Sequence, residues 1–295
     1  MSTDHHGSFD VTESTEYSGE TMKLLLERAS CRDFKEKPIP EDLLYSVLNA
    51  GVHAATGGNL QPFSIIRIEN NDMKQWFADN CGQKFIAKTP TSLLFCIDLH
   101  RLKRWAALCN APFAADRAFR HFWISFQDTI IAAQNICTAA DAMGLGSVYI
   151  GTVMEFMQEM RERLELPDGV LPVVLLCLGW PKHYPDPRKK LDVNVLVHRE
   201  KYHDPTDQEL LEAFEKKYPD RKTDITDQHM ETFRTVCEET ESREIAEKFV
   251  EKVKEKGFFN MAQLYFGLHY RASMMAEGNP DILKVIKNAG LNFWE

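Results

Sequence analysis

Apolar residues recur along this chain at two spacings, and the alternation between them marks out elements. In residues 19–30, GETMKLLLERAS, Met22, Leu25 and Leu26 fall on one helical face. CRDFKEKPIP breaks that helix. Pro40 opens a second, PEDLLYSVLNAGVHA, with two acids behind the proline where the helix dipole favours them. SIIRIE (64–69) is expected to be a strand and NDMKQWFADN a short helix. TSLLFCID (91–98) is an unbroken apolar run of strand length, hence a buried strand. Residues 99–118 are expected to be helical. The longest helix spans FWISFQDTIIAAQNICTAADAMG (122–144), and Gly144 ends it. Its apolar residues cover more than one face, and Ala132, Ala133, Ala139 and Ala140 recur, so it belongs at the centre of the fold or at a subunit interface. LGSVYIG (145–151) then predicts a strand, MEFMQEMRERLEL a helix and VLPVVLLCLGW (170–180) a second buried strand. PKHYPDPRKKLD is a Pro-rich irregular loop.

After about residue 200 the character changes. DPTDQELLEAFEKKYPD and ESREIAEKFVEKVKEKG are charged amphipathic helices, GFFNMAQLYFGLHYRASMMAEG is rich in aromatics and Met, and NPDILKVIKNAG is a helix from Pro280 to Gly290. The chain therefore divides into a polar leader (1–19), a mixed domain (20–198) and a helical extension (199–295). The mixed part has no regular βαβ repeat, which favours an α+β sheet flanked by helices over a doubly wound fold. No GxGxxG follows a strand, so a Rossmann dinucleotide site is not supported.

Composition narrows this picture. In 295 residues, 44% hydrophobic and 27% charged content is that of a globular protein in water. No apolar run is long enough to predict a transmembrane helix. The leader lacks the basic and apolar regions of a secretory signal, and His5 and His6 in it are incidental. None of the seven cysteines forms CxxC, and most sit in apolar runs. They are expected to be buried thiols in a reducing cytoplasm, not zinc ligands. The net charge of −9 argues against general nucleic-acid binding. Residues 1–20 hold five acids and no Lys or Arg, and residues 200–256 balance at −6, so the rest of the chain is slightly positive. That remainder can hold an anionic cofactor.

Three clusters could carry chemistry. Arg28-Ala29-Ser30-Cys31-Arg32 offers planar charged forks and a hydroxyl suited to phosphate, or else cations completing a helix C-terminus. Arg188-Lys189-Lys190 either closes over an anion or is a solvated turn. Thr56, Gly57, Gly58, Asn59 and Gln61 form either a capped turn or a ligand loop. In the ligand reading, glycines let the backbone approach a planar ring and amides match an imide edge. No GxSxG, HExxH or P-loop is present. His53, His121 and Asp128 are best read as structural, and no metal site is expected.

Together these segments resemble the FMN-dependent nitroreductase family. Its R-x-S-x-R-x-F pattern appears as Arg28, Ser30, Arg32 and Phe34, followed by Pro38-Ile39-Pro40 and by Asn59, Gln61, Pro62 and Phe63. CGQKFIAKTPTSLLFCID, AAQNICTAADAMGLGSVYIGTV and VLPVVLLCLGWPKHYPDPRKKLD resemble the next three elements in order, so the likeness covers roughly residues 20–198. The flavin-reductase and oxygen-insensitive nitroreductase branch is nearest in pattern. The resemblance implies a nitroreductase-like central mixed, mainly antiparallel sheet, and a cytoplasmic homodimer with FMN at the interface. It also implies NAD(P)H as co-substrate and a nitroaromatic, quinone or flavin acceptor, by a ping-pong mechanism. Arg28, Ser30 and Arg32 would hold the FMN phosphate and ribityl chain, with Ala29 giving a backbone contact only, since relatives carry His or Arg there. Arg188 and Lys190 would meet the phosphate, Gln83 the pyrimidine edge, and Gly151 and Thr152 the ring. Thr56, Gly57, Asn59 and Gln61 would come from the other subunit. The chemistry would be the cofactor's, with no catalytic side chain. A dehalogenating or flavin-consuming enzyme, and a flavin-storage protein, are the alternatives. Trp105 and Phe113 are expected to be core residues ahead of pocket residues, and Phe258–Tyr270 packing surface ahead of a lid.

Overall fold

The computed structural model describes residues 19–294. The leader, His5 and His6 included, lies outside the described residues except for Gly19. The described chain falls into two compact units. One takes residues 19–187 and 280–294, the other residues 188–279.

The sheet unit begins with α1 (Glu20–Glu27) and α2 (Glu41–Val52), then β1 (Phe63–Ile68), α3 (Asn71–Asn80) and β2 (Thr91–Asp98). It continues with α4 (Leu99–Leu108), α5 (Phe119–Ala142), β3 (Gly146–Ile150), α6 (Met157–Arg163) and β4 (Val170–Gly179). The four strands form one antiparallel sheet in the order β1-β2-β4-β3. Every residue of β2 and β4 is buried, as their unbroken apolar runs require of central strands covered on both faces. Pro172 has no N–H to give a central strand. It sits where the β2–β4 register slips, between Phe95 and Cys96, and the irregularity accommodates it. The expected helix over 99–118 stops at Leu108. Asn110 takes a left-handed conformation (φ 54°) and Pro112 follows, so only a short 3₁₀ turn at Ala115–Arg117 resumes. Across the sheet's face, α2 packs on α5, with Asn135 Nδ2 donating to the Ala50 carbonyl at 3.2 Å.

The helical unit holds α7 (Val193–Leu196), α8 (Asp207–Lys217), β5 (Thr223–Asp224), α9 (Asp227–Thr240) and α10 (Arg243–Lys256). It ends with β6 (Phe258–Phe259), the short α11 (Met261–Gln263), a π-helical turn at Leu264–His269 and a 3₁₀ turn at Ala272–Met274. β5 and β6 pair antiparallel. The core is small: Phe233, Cys237, Ala246, Val250, Val253 and Phe259.

The chain returns to the sheet unit through α12 (Asn279–Asn288). Sequence reasoning gave residues 199–295 to one extension. The last helix departs from that division, because Ile286, Ala289 and Leu291 lie in the same core as β2 and β4. The Gly169 N–H also donates to the Ala289 carbonyl at 2.7 Å. Among the described residues, no helix is long and apolar enough to cross a membrane, and no group of three or more His, Cys, Asp or Glu could hold a metal ion.

Candidate functional site

The segment after α1 runs along the free edge of β3. Ser30 bridges Ser147 in parallel, and the Cys31 N–H donates to the Ser147 carbonyl at 2.9 Å. The approach is close enough that a Cβ on Gly146 would lie 2.7 Å from Cys31 Cβ. Extended backbone sends alternate side chains to opposite sides. Cys31 is therefore buried, while Ser30 and Arg32 face outward. At the far end of β3, Gly151 is exposed, with nothing within 4 Å of a Cβ built on it, and Thr152 is half-buried. Arg28, Ala29, Ser30 and Arg32 thus lie along one sheet edge that leads to Gly151 and Thr152.

The two arginines are differently engaged. Arg28 Nε donates to Asp141 Oδ2 at 3.2 Å, and its Nη2 to Ser147 Oγ at 3.3 Å. Asp141 is in the last turn of α5, where the helix dipole disfavours an acid. Burial raises its pKa, and the Arg28 charge opposes that rise. Arg32 is exposed and enters no ion pair among the described residues. A hydroxyl, a free guanidinium and a second guanidinium held in place fit a phosphate group.

The second cluster follows α2. Gly57–Asn59 forms a 3₁₀ turn, with Gly58, Asn59 and Gln61 at φ 59°, 55° and 49°. Two non-glycine residues with positive φ in three positions is strained backbone. Part of the restraint is internal. Thr56 Oγ1 accepts the Gln61 N–H at 3.2 Å, and Gln61 Nε2 donates back to the Val52 carbonyl at 2.9 Å. The Gln61 amide is therefore engaged within its own loop, while Asn59 stands exposed at the tip. Gln83 is half-buried, and its side-chain amide makes no hydrogen bond among the described residues. Free amides at Asn59 and Gln83 fit the imide edge of a flavin.

Arg188 and Lys190 are exposed at the start of the helical unit. Phe113 packs against the sheet unit's core, and Trp105 is exposed. His53 Nδ1 lies 2.9 Å from the Asn49 carbonyl of its own helix, a structural contact. Two acids touch this site: Asp141, which sequence reasoning missed, and Asp128, which it read as structural without naming a partner. Asp141 pairs with Arg28 across 113 positions, and Asp128 accepts a hydrogen bond from the Gly57 N–H across 71. Only the rarity of acids on an apolar helix hinted at either.

Comparisons with known proteins bear on the family and the fold. The chain is 32% identical over 198 residues to the oxygen-insensitive NADPH nitroreductase of Salmonella typhimurium, covering 67% of this chain and 80% of that protein. It is 32% identical over 183 residues to the NADPH-flavin oxidoreductase of Vibrio harveyi, covering 62% and 74%. The solved NADPH:FMN oxidoreductase of Vibrio harveyi, complexed with NAD+, superposes with a TM-score of 0.69 at 23% identity, covering 93% of this chain and 99% of that one, a likeness of fold. The model of the Nitroreductase family matches residues 25–180, more than half of the chain, and the chain belongs to that family.

Proposed function

We propose that this protein is an FMN-dependent oxidoreductase. It takes hydride from NAD(P)H and passes the electrons to a nitroaromatic, quinone or flavin acceptor, the two substrates using one site in turn. The observation that carries the reading is the edge of β3, where Ser30 and Arg32 point outward beside a fixed Arg28. Two relatives are named as an NADPH nitroreductase and an NADPH-flavin oxidoreductase, which supports the same chemistry here. When bound, the flavin supplies the hydride-accepting and electron-donating chemistry, so no protein nucleophile is required. The chain's own residues bind and orient. Arg32 and Ser30 would hold the phosphate, with Arg28 aimed by Asp141, and the Gln83 amide would serve the ring. Positive charge near the cofactor favours its anionic reduced form.

The functional unit in this proposal is a homodimer. Along α5, Asp141 anchors the phosphate segment and Asp128 anchors the 56–61 loop. At 1.5 Å per residue these anchors stand about 20 Å apart, so a loop from a second copy suits the flavin better than the chain's own. Phe119, Trp123, Phe126 and Ile131 of α5 and Met22, Leu25 and Leu26 of α1 are exposed apolar side chains, and a twofold contact would cover them. We assign the protein to the cytoplasm on its free thiols.

The test is the visible spectrum of the purified protein, before and after anaerobic NADPH and then NADH. Flavin bands that bleach, and return with a nitroaromatic or quinone, are expected. Bands that do not bleach would move the reading to storage or a specialised reaction. No bands, and no uptake of added FMN, would overturn it. Arg32→Ala should weaken FMN binding by about 1.5–3 kcal/mol, the usual worth of a hydrogen bond to a charged group, as read by fluorescence titration.

A further inference from the structure

The 56–61 loop is gripped from outside by two charged side chains on different helices. Asp128 of α5 is 5% exposed and accepts the Gly57 N–H on both oxygens, at 3.0 and 3.2 Å. It enters no ion pair among the described residues, which makes it a costly group to bury. Burial raises its pKa, and the Gly57 N–H is the opposing influence. At the other end, Arg101 of α4 donates through Nη2 to the Gln61 carbonyl at 2.6 Å and the Phe63 carbonyl at 2.8 Å, and through Nη1 to Ser64 Oγ at 3.3 Å. Arg101 is itself set by Asp98, which accepts its backbone N–H at 2.9 Å. Between these grips lie the exposed Gly58, Asn59 and Leu60, with left-handed backbone at two of the three. Left to itself such a segment would relax, because its dihedrals are unfavourable.

We propose that Asp128 and Arg101 are positioning residues. They clamp the loop from both ends, so that its exposed tip meets the flavin already in its binding shape, and Gln61 serves the clamp and not the ligand. The inference rests on the flavin reading above. Its physical gain is preorganisation. A loop ordered beforehand does not lose that entropy when the ligand arrives. Within the loop the atoms gripped are the Gly57 N–H and the Gln61 carbonyl, both backbone, so the clamp sets the loop's shape and leaves the chemistry of its tip free.

The experiment uses the full chain and four substitutions: Asp128→Ala, Asp128→Asn, Arg101→Ala and Arg101→Lys. It reads amide hydrogen exchange over residues 56–63, FMN affinity, kcat and KM at saturating FMN, and thermal melting. Asp128→Ala and Arg101→Ala should speed exchange at Gly57 and Gln61 and raise the FMN Kd about 10- to 100-fold, the loss expected for charged hydrogen bonds. kcat should recover once FMN saturates, because the clamp acts on binding. Asp128→Asn keeps an acceptor of the same shape and should restore part of the affinity. If wild type binds FMN and the alanine variants match it within twofold, the clamp is overturned while the flavin reading stands. If wild type does not bind FMN, the flavin reading fails and the clamp's purpose falls with it. Should Asp128→Ala not fold, Arg101→Lys decides. It keeps the charge but loses the fork, so raised Kd with unchanged melting supports the clamp and unchanged Kd overturns it.

Discussion

The two units of this chain keep their helices in different ways. In the sheet unit, α3 and α4 are capped by Asn70 and Asp98, but α1, α2, α5 and α6 follow Gly19, Pro40, Ala118 and Phe156 and have no side-chain cap. In the helical unit, Asp192, Thr206, Thr226, Ser242 and Asn260 each cap the helix that follows. Thr206–Glu209 and Asn260–Gln263 close full capping boxes. The cores explain the contrast. The sheet unit buries both faces of β2 and β4, whereas α8 has no fully buried residue. Helices gain most of their stability from packing, so a unit with little to pack against depends on satisfying its own helix ends. The candidate groups Arg28 and Gly57 are held from α5, the helix that packs on the sheet.

The largest test of this contrast removes core. Leu176 is fully buried on β4, opposite Leu93 of β2 and Tyr149 of β3. Leu176→Ala should cost about 2–5 kcal/mol in denaturant unfolding. A loss under 1 kcal/mol there would mean that the sheet unit does not rest on its core. The next test removes a cap. Ser242 Oγ accepts the Ile245 N–H at the start of α10. Ser242→Ala should cost about 1 kcal/mol and raise hydrogen exchange in the first turn of α10. Equal protection before and after would break the argument that caps carry this unit.

The same contrast governs how much was legible in the sequence. α3 and β2 fall at the predicted residues, 71–80 and 91–98, because a helical stripe and an unbroken apolar run each have one packed solution. In the helical unit, α9 went unpredicted although Met230, Phe233 and Cys237 keep helical spacing. The return of α12 to the sheet unit depends on Ile286 meeting a core laid down more than a hundred residues earlier, which no local pattern announces. At the candidate site, identities were legible and partners were not. The motif names Arg28 and Gln61. That Arg28 leans on Asp141, and that the Gln61 amide turns back to Val52, follows from tertiary geometry alone.

The smallest test uses thiols and disturbs nothing. All seven cysteines are free, and Cys109 is the exposed one. Burial pushes Cys96 to about 12 and Cys177 to about 11, so at pH 8 both remain unreactive thiols. Cys237 is also raised by burial, but its shelter is the small core of the helical unit. A buried thiol reacts only when its surroundings open, and opening costs less where fewer apolar contacts must part. With a disulfide reagent at pH 8, Cys109 should react at once and Cys237 next, through local opening of the helical unit. Cys96 and Cys177 should react only with global unfolding. Mass mapping of the labelled peptides over time gives the order directly. If Cys237 and Cys177 label at one rate, the two units open together and the contrast between them is confined to how their helices end.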